Sequence, residues 1–367
     1  MQAKLWRHFD PLLVTVSLLL TAYGIAMIYA ALASPGADGA ARSAALREGL
    51  YGLFGLALFL AACCVDYRVF RAMFWPLCVG NVALLLAVLV LGRASGGAQR
   101  WLNLGFLPFQ PSEFGKLLVI LTLARVLADL NERITTLRAV FLSLLVAAVP
   151  AALVYPQPDL GTAVVYVAIW LGMVTAAGMR VRHLFLLLGA LIAGAPFAVR
   201  FLHSYQLNRL TIFLNPQKDP TGAGYNIIQA LIAIGSGGWM GQGFAQGAQS
   251  QLHYLRVQQS DFIFSAIAEQ LGFLGCLLLF CLFAMLLTRI LAAAAVAQDL
   301  YGRLVATGVM WMILFQAFVN VGMNLQMMPV TGIPLPFISA GGSSLITCLL
   351  AIGIVQSIRM RQRKLQF

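Results

Sequence analysis

One carboxylate in this chain stands where charge is costly. Asp261 closes a polar, glycine-rich stretch, His203 to Ser260, and is followed at once by the apolar run that opens Phe262-Ile263-Phe264. The runs around that stretch read as membrane, and an acid at such a boundary calls for a role. A lone carboxylate suits general-base work on a hydroxyl. A nucleophile–base pair is not in evidence: the stretch has no cysteine, and neither His203 nor His253 has a matched serine motif.

Other polar residues gather in motifs of their own. Gly97-Ala98-Gln99-Arg100-Trp101-Leu102-Asn103-Leu104-Gly105 leads into Phe109-Gln110-Pro111-Ser112-Glu113-Phe114-Gly115-Lys116. Ser112 is expected to cap the helix that begins there. Glu113 and Lys116 are three apart and share one helix face, either as a structural ion pair or as part of a working site. Gln157-Pro158-Asp159-Leu160-Gly161-Thr162-Ala163 holds an acid that can cap the next helix through the Gly161 and Thr162 amides. In the long polar stretch, Gln206, Arg209 and Asn215 to Pro220 precede a short amphipathic helix over 224–235, which carries Gln229. Gly235-Ser236-Gly237-Gly238-Trp239-Met240-Gly241-Gln242-Gly243 follows. It lacks the preceding strand and the Gly-Lys-Ser/Thr of a nucleotide fingerprint, so its glycines imply tight turns against a ligand or a neighbouring helix. Glu269, two helical turns past Asp261, must be paired or protonated, with a helix-packing hydrogen bond as the plain explanation.

The last motif runs from Met327 to Ser344. Three prolines and three glycines within Met327–Gly342 cannot form a continuous helix, and irregular backbone at membrane depth is tolerated only against protein or a wet cavity. Gly341, Gly342, Ser343 and Ser344 open a final helix with amides and hydroxyls that suit an anion. Arg100, Lys116 and Arg209 suit a phosphate or pyrophosphate, amide groups suit sugar hydroxyls, and apolar walls suit a lipid tail.

Composition fixes the elements that must position these groups. The chain of 367 residues is 61% hydrophobic and 10% charged, far from a soluble domain. It reads as an all-α, polytopic membrane protein, one domain over 1–367, with about ten spans. These fall near 11–32, 47–65, 70–92, 113–128, 136–155, 160–178, 184–203, 262–289, 303–325 and 342–358. The first is full length and lacks a cleavage site, so it is expected to stay as a helix. Of the 24 lysines and arginines, 15 fall on the side of the termini and 9 on the other, which places both termini in the cytoplasm. The loops near 33–46, 93–112, 204–261 and 326–341 are then external and share one side. The net charge of +12 follows this loop pattern and gives no reason to invoke nucleic acid. The six cysteines lie in or beside apolar runs without metal-ligand spacing and read as core residues.

In order along essentially the whole chain, these motifs resemble the SEDS family (shape, elongation, division and sporulation). The resemblance is carried by Gly97 to Trp101, Gln110 to Lys116, Gln157 to Ala163, Gly235 to Gly243, Ser260 to Phe264 and Pro334 to Ser344. The stretch Pro329 to Phe337 looks more like the elongation members, the RodA type, than the division members, the FtsW type. Two departures stand out. Arg256-Val257-Gln258-Gln259-Ser260 replaces the usual Pro-Glu-x-His-Thr, and Ala340 replaces the usual tyrosine.

The resemblance implies an inner-membrane peptidoglycan glycosyltransferase of the bacterial cell wall. Such an enzyme polymerises lipid II and works with a class B penicillin-binding protein. The family's essential aspartate maps to Asp261, and its Glu–Lys pair to Glu113 and Lys116. Asp261 would deprotonate the acceptor hydroxyl, and undecaprenyl pyrophosphate would leave with inversion. The candidate substrate contacts are Arg100, Glu113, Lys116, Arg209, Gln229, Ser343 and Ser344. A divalent cation could assist departure of the pyrophosphate. The competing expectations are a lipid II flippase, a division-type polymerase and a non-catalytic scaffold.

Overall fold

The structure is a computed structural model and describes residues 6–33, 38–95, 98–103, 108–157, 159–198, 200, 204–219, 222–252, 254–255 and 257–362. Gly97, Leu104, Gly105, Pro158, His203, Pro220, His253 and Arg256, singled out above, lie outside them.

The helices of span-like length are α1 (Pro11–Leu32), α2 (Asp38–Cys64), α4 (Phe74–Leu91), α5 (Pro111–Leu130), α6 (Leu137–Val154), α7 (Leu160–Ala176), α8 (Val181–Ala198), α12 (Ile263–Ala295), α13 (Leu300–Asn324) and α14 (Gly342–Met360). Among the described residues, seven of these are long and apolar enough to cross a membrane, namely α1, α2, α4, α6, α12, α13 and α14. The other three match the expected spans near 113–128, 160–178 and 184–203. The chain is a multi-pass membrane protein. Short helices complete it: α3 (Arg68–Ala72), α9 (Ser204–Leu214), α10 (Ala223–Ser236) and α11 (Ala248–Gln251).

Helix ends follow local chemistry. Asp10 caps α1 by accepting from the Leu13 amide at 3.2 Å, and Asp299 caps α13 through Gly302 at 2.8 Å. The same two acids meet cations on the face that carries the termini. Asp10 pairs with Arg289 and lies 3.9 Å from Arg359, and Asp299 lies 3.5 Å from Arg68. The most buried span, α14, packs on α2, α12, α13 and α5.

The structure departs from the sequence reading in four places. α2 begins at Asp38, nine residues early, because Ala40, Ala41, Ala44 and Ala45 extend it. The stretch 93–109 contains a small antiparallel sheet of β1 (Arg93–Ser95), β2 (Ala98–Asn103) and β3 (Pro108–Phe109) in an otherwise helical chain. Residues 204–214, part of the long polar stretch and given no element from sequence, form α9. Finally, α12 is broken at Gly272, where φ is +63°.

The break explains the glycine-rich motif. At Gly272 the helical ladder stops, so backbone groups on either side need new partners. The Gln242 and Gly243 amides donate to the carbonyls of Glu269 and Gln270 at 2.9 and 3.1 Å. The Phe273 and Leu274 amides donate to the carbonyls of Gly238 and Trp239 at 2.9 and 3.2 Å. Residues 238–243 thus clasp the broken helix by backbone alone. A Cβ on Gly272 would run into the Gly241 nitrogen, and one on Gly241, at φ +78°, into the Gln270 carbonyl. The glycines serve close approach between two backbones.

Gly272→Ala should therefore cost about 1–2 kcal/mol from the left-handed conformation alone, with further loss from the displaced clasp. The check is thermal unfolding in detergent, in which Gly272→Ala unfolds earlier than wild type. Gly189→Ala on α8, with open space around its Cα, should leave the midpoint unchanged or raise it.

Candidate active site

Asp261 is set by its backbone. Its amide donates to the Val257 carbonyl at 3.2 Å, in a turn where Val257 takes φ +59°. Its carbonyl accepts from Asn324 Nδ2 at 3.0 Å and Asn320 Nδ2 at 3.3 Å. These asparagines are four apart on one face of α13. Asn324 Oδ1 also accepts from the Ser265 hydroxyl at 2.6 Å, fixing the first turn of α12. The preceding peptides are held by the proline-rich segment. Ser339 Oγ donates to the Ser260 carbonyl at 2.6 Å, and the Ala340 amide to the Gln259 carbonyl at 2.8 Å. Every one of these bonds leaves the carboxylate itself to face the cavity.

That cavity has a volume of about 210 Å³. Arg100 of β2, Glu113 of α5, Asp159, Arg209 of α9, Asp261 and Ser344 of α14 all line it. Arg100 Nε donates to the Gln157 carbonyl and Arg209 Nη1 to the Val330 carbonyl, each at 3.0 Å, so both guanidinium groups are tied to the wall. Burial pushes the Asp261 carboxyl above the ordinary carboxylate range, and Asp159 adds to that. The Ser260 hydroxyl, 3.1 Å from Oδ1, and the charges of Arg209 and Arg100 pull the other way. The result is a carboxylate more basic than usual, next to two fixed cations.

Below the cavity floor Lys116 Nζ lies 2.7 Å from Glu113 Oε2. The residues are 1% and 3% exposed, so the pair is fully buried. Lys116 is thereby engaged with Glu113 and does not line the cavity. Ser112 is not the expected cap, for Gln110 occupies that position without a side-chain bond. The Ser112 hydroxyl instead faces Asp159 at 3.5 Å. Asp159 does cap α7, but through the Thr162 amide at 3.2 Å and hydroxyl at 2.9 Å. Gln110 Nε2 also donates to it at 3.3 Å, tying α5 to α7.

The remaining candidates divide. Ser343 Oγ accepts from the Gln110 amide at 3.0 Å and so holds the cavity wall. Gln229 lies half-buried on α10 and is not among the residues lining the cavity. Glu269 turns away from Asp261: it accepts from the Gln249 amide at 2.6 Å and the Ser250 hydroxyl at 2.6 Å, anchoring α11. Sequence reasoning passed over Asn320, Asn324, Ser339 and Glu48, whose carboxylate accepts from the Gly341 amide at 3.4 Å. The asparagines carried a signal, since two amides four apart in an apolar span need partners inside the protein. Among the described residues, no group of three or more His, Cys, Asp or Glu could hold a metal ion.

Removing one member of the buried ion pair should destabilise more than removing both. Lys116→Met leaves Glu113 unpaired and should cost about 3–5 kcal/mol. Glu113→Gln combined with Lys116→Met should recover much of that, read as the unfolding midpoint of purified protein in detergent. Equal stability of the single variant and wild type would show the pair to be inert.

Comparison with known proteins places this architecture. The model of the FtsW, RodA and SpoVE cell cycle protein family matches residues 10–364. The peptidoglycan glycosyltransferase MrdB of Escherichia coli K12 is 37% identical over 363 residues, covering 98% of this chain and 95% of its own. Stage V sporulation protein E of Bacillus subtilis is 38% identical over 362 residues, covering 96% of this chain and 98% of its own. A chain from a solved structure described as the structural coordination of polymerization and crosslinking by a peptidoglycan synthase complex superposes with a TM-score of 0.83 at 32% identity, covering 97% of this chain and 99% of that one. The rod shape determining protein RodA of Thermus thermophilus superposes with a TM-score of 0.71 at 30% identity, covering 96% of this chain and 97% of that one. With a family match over nearly its full length and relatives of this identity on both sides of the alignment, the chain belongs to the FtsW/RodA/SpoVE family of cell cycle proteins.

Proposed function

We propose that this chain is a peptidoglycan glycosyltransferase that polymerises lipid II. The observation that carries the reading is the cavity that unites a basic carboxylate, Asp261, with the cations Arg100 and Arg209. Asp261 takes the proton from the 4-hydroxyl of the acceptor N-acetylglucosamine. The oxygen attacks the anomeric carbon of the donor N-acetylmuramic acid and forms the β-glycosidic bond. The bond to pyrophosphate breaks with inversion, and undecaprenyl pyrophosphate leaves with the electron pair. Arg100 and Arg209 stabilise the charge that gathers on it. The Glu113–Lys116 pair supports the floor of the cavity, and Ser343 braces its wall.

The finer assignments are part of the same reading. The chain sits in the bacterial inner membrane with both termini in the cytoplasm, works with a class B penicillin-binding protein, and serves elongation. The Pro329–Phe337 stretch supports the elongation role. A divalent cation could share the pyrophosphate charge, with Asp159 and Asp261 as the carboxylates within reach of it. Chelation with EDTA followed by added Mg²⁺ tests this: activity that falls and returns supports the ion, and unchanged activity removes it.

Asp261→Asn tests the chemistry. It keeps shape but loses basicity, and should cost roughly 10²–10⁴-fold in polymerisation. The readout is glycan polymer made from lipid II by purified protein. A flippase would still move lipid II when polymerisation is abolished, and a scaffold would show no polymerase activity in wild type. Near wild-type polymer from Asp261→Asn would put the base elsewhere.

The same base sets a pH dependence. It works deprotonated, so activity should be lost as pH falls through a value above the ordinary aspartate range. A rate limb at an unshifted aspartate pKa would contradict the buried base.

Orientation has its own test. Lys218→Cys and Gln366→Cys should label from opposite sides of the membrane, and labelling from one side would end the assignment of an external cavity.

A further inference from the structure

The bonds that repair the break in α12 also fix the height of the glycine-rich hairpin. Gln270 Nε2 donates to the Ala30 carbonyl at 3.2 Å, close to the end of α1 at Leu32. Tyr23 donates to the Gly275 carbonyl at 3.3 Å, from about two turns lower in α1. Residues 238–243 bond to residues 269–274, between these levels. The hairpin therefore lies alongside two spanning helices, below the end of α1. Its tip presents Trp239 and Met240, 73% and 80% exposed. The Trp239 ring meets Phe273 edge-on with centroids 5.1 Å apart. Phe273, Leu274, Leu277 and Leu278 continue as an exposed apolar strip down α12. In a spanning helix such a strip faces lipid. On the other flank Phe244 stacks on Tyr29 of α1 at 6.4 Å.

We propose that the Trp239–Met240 turn is embedded in the leaflet on the Asp261 side, at the boundary of headgroups and acyl chains, and that its partner is the lipid surface. The apolar strip of α12 runs without interruption into the turn, so the same solvent covers both. Tryptophan suits this depth because its ring is apolar and its N–H reaches the headgroups. Methionine packs adaptably among acyl chains. The backbone of the turn is already paired through the clasp, so inserting it leaves few polar groups without partners. The anchor holds the loop that ends in Asp261 at a set height above the lipid. The inference rests on α12 crossing the membrane and not on glycosyl transfer.

The test places an environment-sensitive fluorophore, NBD, on Met240→Cys in the full chain, with Cys64, Cys78 and Cys281 changed to Ser. The labelled protein is reconstituted into phosphatidylcholine nanodiscs. Phospholipid brominated on its acyl chains should quench the label at 240, and aqueous iodide should not. Lys218→Cys, in the loop beyond α9, should show the reverse. Quenching at 240 by iodide alone would put the turn in water, and quenching by neither would mean that protein covers it; either outcome overturns the proposal. Should the cysteine variant fail to fold, wild type is compared with Trp239→Phe. The difference emission should be blue-shifted and lost in brominated lipid, and a red-shifted, iodide-quenched difference would overturn the anchor.

Discussion

Backbone amides and carbonyls inside a bilayer must find partners within the protein. This chain departs from regular helix where its site is built, and each departure is repaired by bonds that cross between segments. At Gly272 the ladder of α12 is completed by residues 238–243. Between α13 and α14, Ser339 and Ala340 turn to the peptides of Ser260 and Gln259. Asn320 and Asn324 supply side-chain amides to the Asp261 carbonyl. A carboxylate at the end of a long loop would ordinarily be loosely placed. Here the bonds that satisfy its own backbone and the two peptides before it hold it in place.

The charges of the site have separate duties. Glu113 and Lys116 are buried against each other and contribute little net field to the cavity. Asp159 is committed to the start of α7 and to Gln110, so it ties helices together while facing the cavity. Arg100 and Arg209 are tethered to wall carbonyls. A guanidinium can hold a carbonyl with one N–H and still present others to an oxyanion, which a single ammonium does less readily. Of the three acids lining the cavity, Glu113 is held by Lys116 and Asp159 by its helix cap, while the Asp261 carboxylate makes neither kind of contact among the described residues, and its burial raises its basicity.

The two ends of the bundle are built differently. On the face of the termini, acids that cap helices double as partners for arginines, as Asp10 does for Arg289 and Asp299 for Arg68. The Asp299–Arg68 pair is partly solvated and weak, whereas Asp10 is buried against Arg289, and both pairs join helix ends distant in sequence. The opposite end carries the long connections, the small sheet and the cavity. A bundle clamped at one end and elaborated at the other lines the site with residues of α5, α7 and α14, joined by Arg100 of β2 and Arg209 of α9.

Composition and the lengths of the apolar runs alone determined that the chain is a helical membrane protein, and they located the seven helices that, among the described residues, are long and apolar enough to cross a membrane, because lipid imposes length and apolarity on every crossing segment. Asp261 was legible for a related reason: a charge at a membrane boundary is too costly to be incidental. Spacing made the Glu113–Lys116 pair legible, since three residues fix a shared helix face. The tertiary structure decided the rest. That Lys116 is engaged by Glu113 while Arg100 and Arg209 reach the cavity depends on how β2, α5 and α9 converge. That Glu269 anchors α11 instead of joining Asp261 depends on the path of the loop. The glycines of 237–243 read equally well as a ligand cradle or a helix contact until the break at Gly272 supplied unpaired backbone for them to meet. Local sequence sets what a segment can form and what it must hide; which partner it hides against is a long-range choice among surfaces that no local pattern records.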